Sequence, residues 1–173
     1  MPDSAILTLL RQAWLYGMGR RGEFVGALLA HLQLVSVALG VSVLVCLPLG
    51  VWTSRSRWAS ATVMNAITGL RVLPSLAVLF LLIPYLGLST ASATLALTLL
   101  AMPPIMINTD AAYRTIDAAV LEAAGAMGMT RGQILVRVET PLALPVILAG
   151  IRTAAVEIIS SATLAAFVGS GGL

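Results

Sequence analysis

LEAAGAMGMTRGQILVRVETPLALP, residues 121–145, is the polar interlude in an otherwise apolar chain, and its reading decides how the flanking segments are arranged. Glu122, Arg131, Arg137 and Glu139 fall inside it, whereas residues 72–109 carry no charged side chain. A stretch this charged belongs in water. Its pattern predicts two short helices separated by a bend. Residues 116–127 are rich in good helix formers, chiefly Ala and Leu, and Asp117 can cap their start by accepting from free backbone N–H groups. Gly125 and Gly128 are expected to break the run, since glycine takes the positive φ that a sharp interhelical turn needs. Residues 130–138 restart the helix. Leu121, Ala124, Gly125 and Gly128 recur at helical spacing and form a narrow small-residue face for another backbone to pack on.

The surroundings place this loop at a membrane surface. Hydrophobic residues make up 59% of the chain and charged residues 10%, against about 45–50% and about 25% in soluble domains. With a mean hydropathy of +1.00, the chain reads as an integral membrane protein. Its ten basic residues are all arginine, and the net charge of +3 is small and dispersed, which argues against nucleic acid as a partner. Cys46 is the only cysteine, which excludes an intrachain disulfide and a Cys-based metal site and suits a small apolar residue inside a span. His31 has no second ligand at metal spacing and reads as a polar residue where a span meets the membrane surface.

Upstream, residues 1–22 form an amphipathic segment, with Ile6, Leu9, Leu10, Ala13 and Trp14 on one side and Arg11 and Gln12 on the other, expected to lie in the interface. It is not a signal peptide, because Arg20-Arg21 follow the apolar run. Gly22-x-x-x-Gly26 offers a site for close helix approach. A hydrocarbon core of about 30 Å needs about 20 helical residues, and four stretches meet the need: residues 30–52, 59–88, 91–107 and 141–167. Pro48 is expected to kink or end the first, and Pro103-Pro104 to distort the cytoplasmic end of the third. Asn108-Thr109-Asp110 returns the chain to water.

Three charges lie within spans, where they mark a bundle interior or a pathway. Arg71 either faces protein or a water-filled cavity, or lies near the surface because residues 59–69 run along the interface. Arg152 and Glu157 are five residues apart, about 140° around a helix, so a mutual ion pair is poorly placed. Glu157 reads either as a lining residue for a cationic substrate or as a packing or subunit contact. The arginines of the loops at 55–57 and 114–137 set both loops on the cytoplasmic side. The uncharged turn at 86–90 and both termini are then outside, against the preference of Arg11, Arg20 and Arg21.

Glu122-Ala123-Ala124, three residues, Gly128, nine residues and Val138-x-Thr140-Pro141 together resemble the E-A-A-x3-G-x9-I-x-L-P loop of permease subunits of binding-protein-dependent ABC importers. Val138 departs from that pattern conservatively and Thr140 more. Arg71-Val72-Leu73-Pro74-Ser75-Leu76-Ala77 and residues 142–154 look most like the osmoprotectant branch, whose permeases serve glycine betaine, carnitine and choline; methionine and phosphonate permeases are near neighbours.

The resemblance implies an all-α, polytopic membrane helix bundle at residues 23–173 with a coupling loop at 108–141. Four spans lie in this chain, and a fifth is expected after the glycine turn at 169–172 but absent. It implies a multi-pass subunit of a bacterial inner membrane. Glu122, Ala123, Ala124, Gly128, Arg131 and Pro141 would contact cytoplasmic ATPase subunits; Arg71, Ser75, Arg152 and Glu157 are pathway candidates. A second permease copy or homologue and an extracytoplasmic solute-binding protein complete the expected assembly. The chain has no G-x4-G-K-[ST] motif and no lysine, so ATP and Mg are expected on the partner ATPase, with no cofactor or catalysis here. An ion-coupled carrier or channel, and a noncatalytic assembly subunit, are the competing classes. No convincing internal repeat favours the carrier.

Overall fold

The computed structural model describes residues 2–72 and 75–167. All regular structure among them is helical: α1 Pro2–Gly19, α2 Arg21–Ser54, α3 Arg57–Val72, α4 Ser75–Leu86, α5 Thr90–Arg114, α6 Ala118–Ala126, α7 Arg131–Ile134 and α8 Thr140–Phe167, with a π-helical turn at Leu135–Glu139 before α8. Among the described residues three helical stretches are long and apolar enough to cross a membrane: Arg21–Ser54, Thr90–Arg114 and Arg131–Leu164. The expected second span is divided between α3 and α4. Leu73 and Pro74, where the division falls, lie outside the described residues.

α5 is the central helix, packed between α2 and α8. α2 runs parallel to it: Ser42 Oγ donates to Thr98 O at 3.0 Å, Cys46 Sγ donates to Met102 O at 3.7 Å, and Gly50 meets Thr109. The α2 seam is therefore Ala38, Ser42, Cys46 and Gly50, all buried, one helical turn apart. Small residues at this spacing let backbones approach where lipid supplies no hydrophobic drive. Gly22 and Gly26 are not used this way; both face open space. Cys46 packs in the core as expected of a small apolar residue.

α8 returns antiparallel with Ala143, Ile147, Gly150, Ala154, Ile158 and Ala162 buried. Gly150 packs directly on α5: a Cβ there would stand 2.6 Å from Asn108 Cβ and 2.8 Å from Pro104 O. At Gly50 a Cβ would stand 2.4 Å from Thr109 Cγ2. Gly150→Ala is therefore expected to cost about 1–3 kcal/mol by overpacking, and Gly22→Ala nothing measurable. Thermal melts in detergent check the contrast; equal melting of the two variants would contradict this packing.

α2 and α5 run through their prolines, Pro48 and Pro103-Pro104, without ending. Asn108 Nδ2 donates to Pro104 O at 2.7 Å and Thr109 Oγ1 to Ile105 O at 2.7 Å. The expected return to water at 108–110 is also displaced: α5 continues to Arg114, with Thr109 and Asp110 buried. His31 is buried on α2, and its Nδ1 has no hydrogen-bond partner.

Candidate functional site

Two groups of charged residues bear on function: one at the base of the bundle beneath the polar loop, and one in a cleft at its middle. At the base, the sequence 121–145 folds largely as its local signals dictate. Asp117 caps α6 by accepting from Ala119 N at 2.9 Å. α6 ends at Ala126, and Gly128 makes the turn with φ +80°. Gly125 remains helical, so Gly128 alone supplies the left-handed residue. Thr130 and Gln133 form a reciprocal capping box at the start of α7. Ala124 is buried, while Glu122, Ala123, Gly128, Arg131 and Pro141 are exposed.

Pro141 explains the π turn. It has no N–H to give the carbonyl four residues back, and its ring crowds that carbonyl. The helix widens instead: Thr140 N bonds Leu135 O, five residues back, and Thr140 Oγ1 donates to the same oxygen at 2.7 Å. π turns of this kind often mark functional positions. Here the turn contains Glu139, which is 3% exposed and forms a two-pronged ion pair with Arg55 of the α2–α3 loop. One prong is 2.8 Å, from the guanidinium to Oε1. That hydrogen bond holds the Arg55 guanidinium above its ordinary pKa.

A second set of contacts ties the same levels together. Asp110 Oδ2 accepts from Ser60 Oγ at 2.9 Å and from Arg114 Nε at 2.9 Å. Arg114 also donates to Thr53 O at 3.0 Å and Ser56 O at 2.9 Å, tying the end of α2 and the loop after it to α5. Tyr113 OH and Thr140 Oγ1 are 3.1 Å apart. Thus α2, α3, α5 and α8 are pinned at one end, and the loop bearing α6 hangs from that joint. Between them an open cleft of about 550 Å³ is bordered by Val51, Arg55, Leu121, Arg131, Ile134 and Leu135.

The second locus holds Arg71 and Glu157, with guanidinium and carboxylate 3.9 Å apart. Leu70, Leu100, Pro103 and Val156 wall a cleft of about 450 Å³ around them, with Ser160 and Ser161 beside the pair. Leu100 and Pro103 lie in the middle of α5, so Arg71 stands level with the middle of the bundle, its side chain about half exposed. Arg152 is exposed on α8 and outside this cleft. The side chain of Ser75 lies outside the described residues.

The structure therefore brings together Arg71 and Glu157 among the pathway candidates, and it groups Glu122, Ala123, Ala124, Gly128 and Arg131 on one protruding loop. Sequence reading missed the base joint of Arg55, Asp110, Arg114 and Glu139. Only the polarity of those residues beside spans signalled it. Among the described residues no cluster of His, Cys, Asp and Glu is arranged to hold a metal.

Comparison with known proteins matches residues 46–173 to the family described as binding-protein-dependent transport system inner membrane component. The chain is 42% identical to a carnitine transport permease protein of Listeria monocytogenes, over 82% of this chain and 64% of that protein. It is 38% identical to a glycine betaine/carnitine/choline transport system permease protein of Bacillus subtilis, over 83% of this chain and 66% of that protein. The chain thus spans about two thirds of the length of these relatives. A chain of a methionine ABC transporter solved in inward-facing conformations superposes with a TM-score of 0.75 at 26% identity, covering 86% of this chain and 76% of that one.

Proposed function

This chain belongs to the binding-protein-dependent transport system inner membrane component family, and from that premise we propose that it is the transmembrane permease subunit of an ATP-driven importer of quaternary ammonium osmoprotectants such as glycine betaine, carnitine and choline. The observation that carries the reading is the protruding α6 loop, hung from a pinned joint of four helices. Glu122 and Ala123 face outward on α6 while Ala124 is buried beneath it. That is the arrangement of a short helix offered to a partner and anchored from behind. The partner is an ATPase that supplies ATP, Mg and hydrolysis; this chain transmits force and does no chemistry.

Two copies of this chain, or this chain with a homologue, enclose the path, and an extracytoplasmic binding protein delivers the solute. α1 lies along the membrane interface. When nucleotide closes the ATPase pair, the α6 loops move together, and Arg55–Glu139 carries the displacement to α2 while Asp110 and Arg114 carry it to α3 and α5. The bundle then moves as rigid elements between inward and outward access. Arg71 and Glu157 line that path. The resemblance of residues 71–77 and 142–154 to osmoprotectant permeases, and the names of the two relatives above, support this substrate class over methionine or phosphonate. A cysteine introduced by Glu122→Cys is expected to cross-link to the ATPase; failure to do so would sink the coupling assignment.

A further inference from the structure

The mid-bundle cleft has features that assign it a particular kind of ligand. Arg71 and Glu157 are 3.9 Å apart, with side chains 51% and 42% exposed. A charge-assisted hydrogen bond would bring them to about 2.7–2.9 Å. These two heads are therefore held near one another without being locked, and each keeps a face open to the cleft. Charges at this depth are too costly to leave against lipid, so the open side faces water or a partner subunit.

The cleft adds hydroxyls beside the pair and an apolar wall opposite. Pro103 and Pro104 have no N–H, so the carbonyls of Leu99 and Leu100 lack their usual donors within α5, and Leu100 borders the cleft. Among the described residues that line it, none is aromatic. Those residues form no cage of the kind that binds quaternary ammonium tightly by cation–π contact.

From this geometry we infer that the Arg71–Glu157 cleft is a weak, transient binding site for a small zwitterion, its carboxylate paired with Arg71 and its cationic end with Glu157. A zwitterion that parts the pair replaces one plus–minus contact by two and brings no net charge into the bundle. A simple cation would compensate Glu157 but leave Arg71 without its carboxylate partner. The absence of an aromatic cage keeps occupancy short, as a transport path requires. The inference rests on the permease reading and sharpens it: the path itself discriminates for a carboxylate.

The test is equilibrium binding of radiolabelled glycine betaine and of choline to the complete permease–ATPase complex in nanodiscs, without the solute-binding protein. Glycine betaine carries a carboxylate and choline does not. Wild type is expected to bind glycine betaine weakly and saturably. Arg71→Gln should lower that affinity about tenfold while changing choline binding less than about twofold. Glu157→Gln should weaken both ligands, and Arg71→Lys should restore part of the glycine betaine affinity. No saturable glycine betaine binding to wild type, or an equal loss of both ligands in Arg71→Gln, would overturn the proposal and leave the pair a packing contact. Failure of the permease reading is distinguishable in the same sample, because the ATPase would then be missing from the purified complex.

Discussion

Gly128→Val is expected to reduce ATP-driven uptake by about 10–100-fold while the chain still inserts, folds and melts close to wild type. Gly128 sits at φ +80° between α6 and α7, and a Cβ there would meet nothing within 4 Å. The cost is thus one of backbone conformation and not of crowding. The left-handed region costs an L-residue about 1–2 kcal/mol, and a β-branched side chain more. The turn is exposed and free to relax, so the loop adopts a different path instead of unfolding the bundle. The bond from Met129 N to Ala124 O, 3.3 Å, then opens, and α6 leaves the position from which it meets the ATPase. Gly128→Asn, which tolerates positive φ, should retain much of the activity. Uptake in proteoliposomes containing the full complex checks both variants. Wild-type uptake by Gly128→Val would mean that the geometry of this turn does not matter to transport.

Arg55→Ala is expected to have the largest effect on stability. Glu139 has a side chain 4% exposed, against 49% for Arg55, so the two members of the pair are not equivalent. Removing Arg55 leaves the buried Glu139 carboxylate without its partner. Breaking a buried pair costs about 3–5 kcal/mol; the half-exposed Arg55 is already partly solvated, so the lower end, about 3 kcal/mol, is expected. That corresponds to a fall in melting temperature on the order of 5–10 °C. Arg55→Lys should lie between, because an ammonium cannot make the two-pronged contact. Arg55→Ala combined with Glu139→Leu should recover stability, since no buried charge is left behind, but should not recover coupling, since nothing then ties the π turn to α2. Melting and uptake measured on the same proteoliposomes separate the two effects. A double variant that regains both would show that the pair has no role in transmitting motion.

What the sequence revealed and what it concealed follow from the range of the interactions. Hydropathy located the apolar stretches, and short-range rules placed the Asp117 cap and the Gly128 turn, because each depends on residues within one helical turn. Arg55 with Glu139, and Ser60 with Asp110, are 84 and 50 residues apart, and no local pattern announces such partners. The spacing of Arg152 and Glu157 argues against a mutual pair, but it does not announce the counterpart, Arg71, which comes from α3. The π turn was implicit in Pro141, yet its consequence, Glu139 buried against Arg55, depends on where α2 lies.

Small-residue spacing was legible in form but ambiguous in place. Gly22 and Gly26 match the motif for close helix approach, but the bundle uses Ala38, Ser42, Cys46 and Gly50, where α5 supplies a facing backbone. Of the proline expectations, an end of the span at Pro48 is the one overturned, since α2 runs through it. Pro48, Pro103 and Pro104 each remove a backbone donor, but a helix inside a bundle can pass through them.

The most direct measurement of the central claim is site-specific cross-linking from α6 to the partner ATPase. Cys46 is the chain's only cysteine and is buried, so a single introduced thiol can be labelled in the membrane-embedded complex with a maleimide–benzophenone reagent, whose photoactivated ketone inserts into C–H bonds of the neighbouring subunit. Strong adducts with the ATPase are expected from Glu122→Cys and Ala123→Cys, weak ones from Ala124→Cys beneath the helix, and none from Leu88→Cys in the turn at the opposite end of the bundle. Absence of adducts at positions 122 and 123, or adducts of equal yield from Leu88→Cys, would contradict the account.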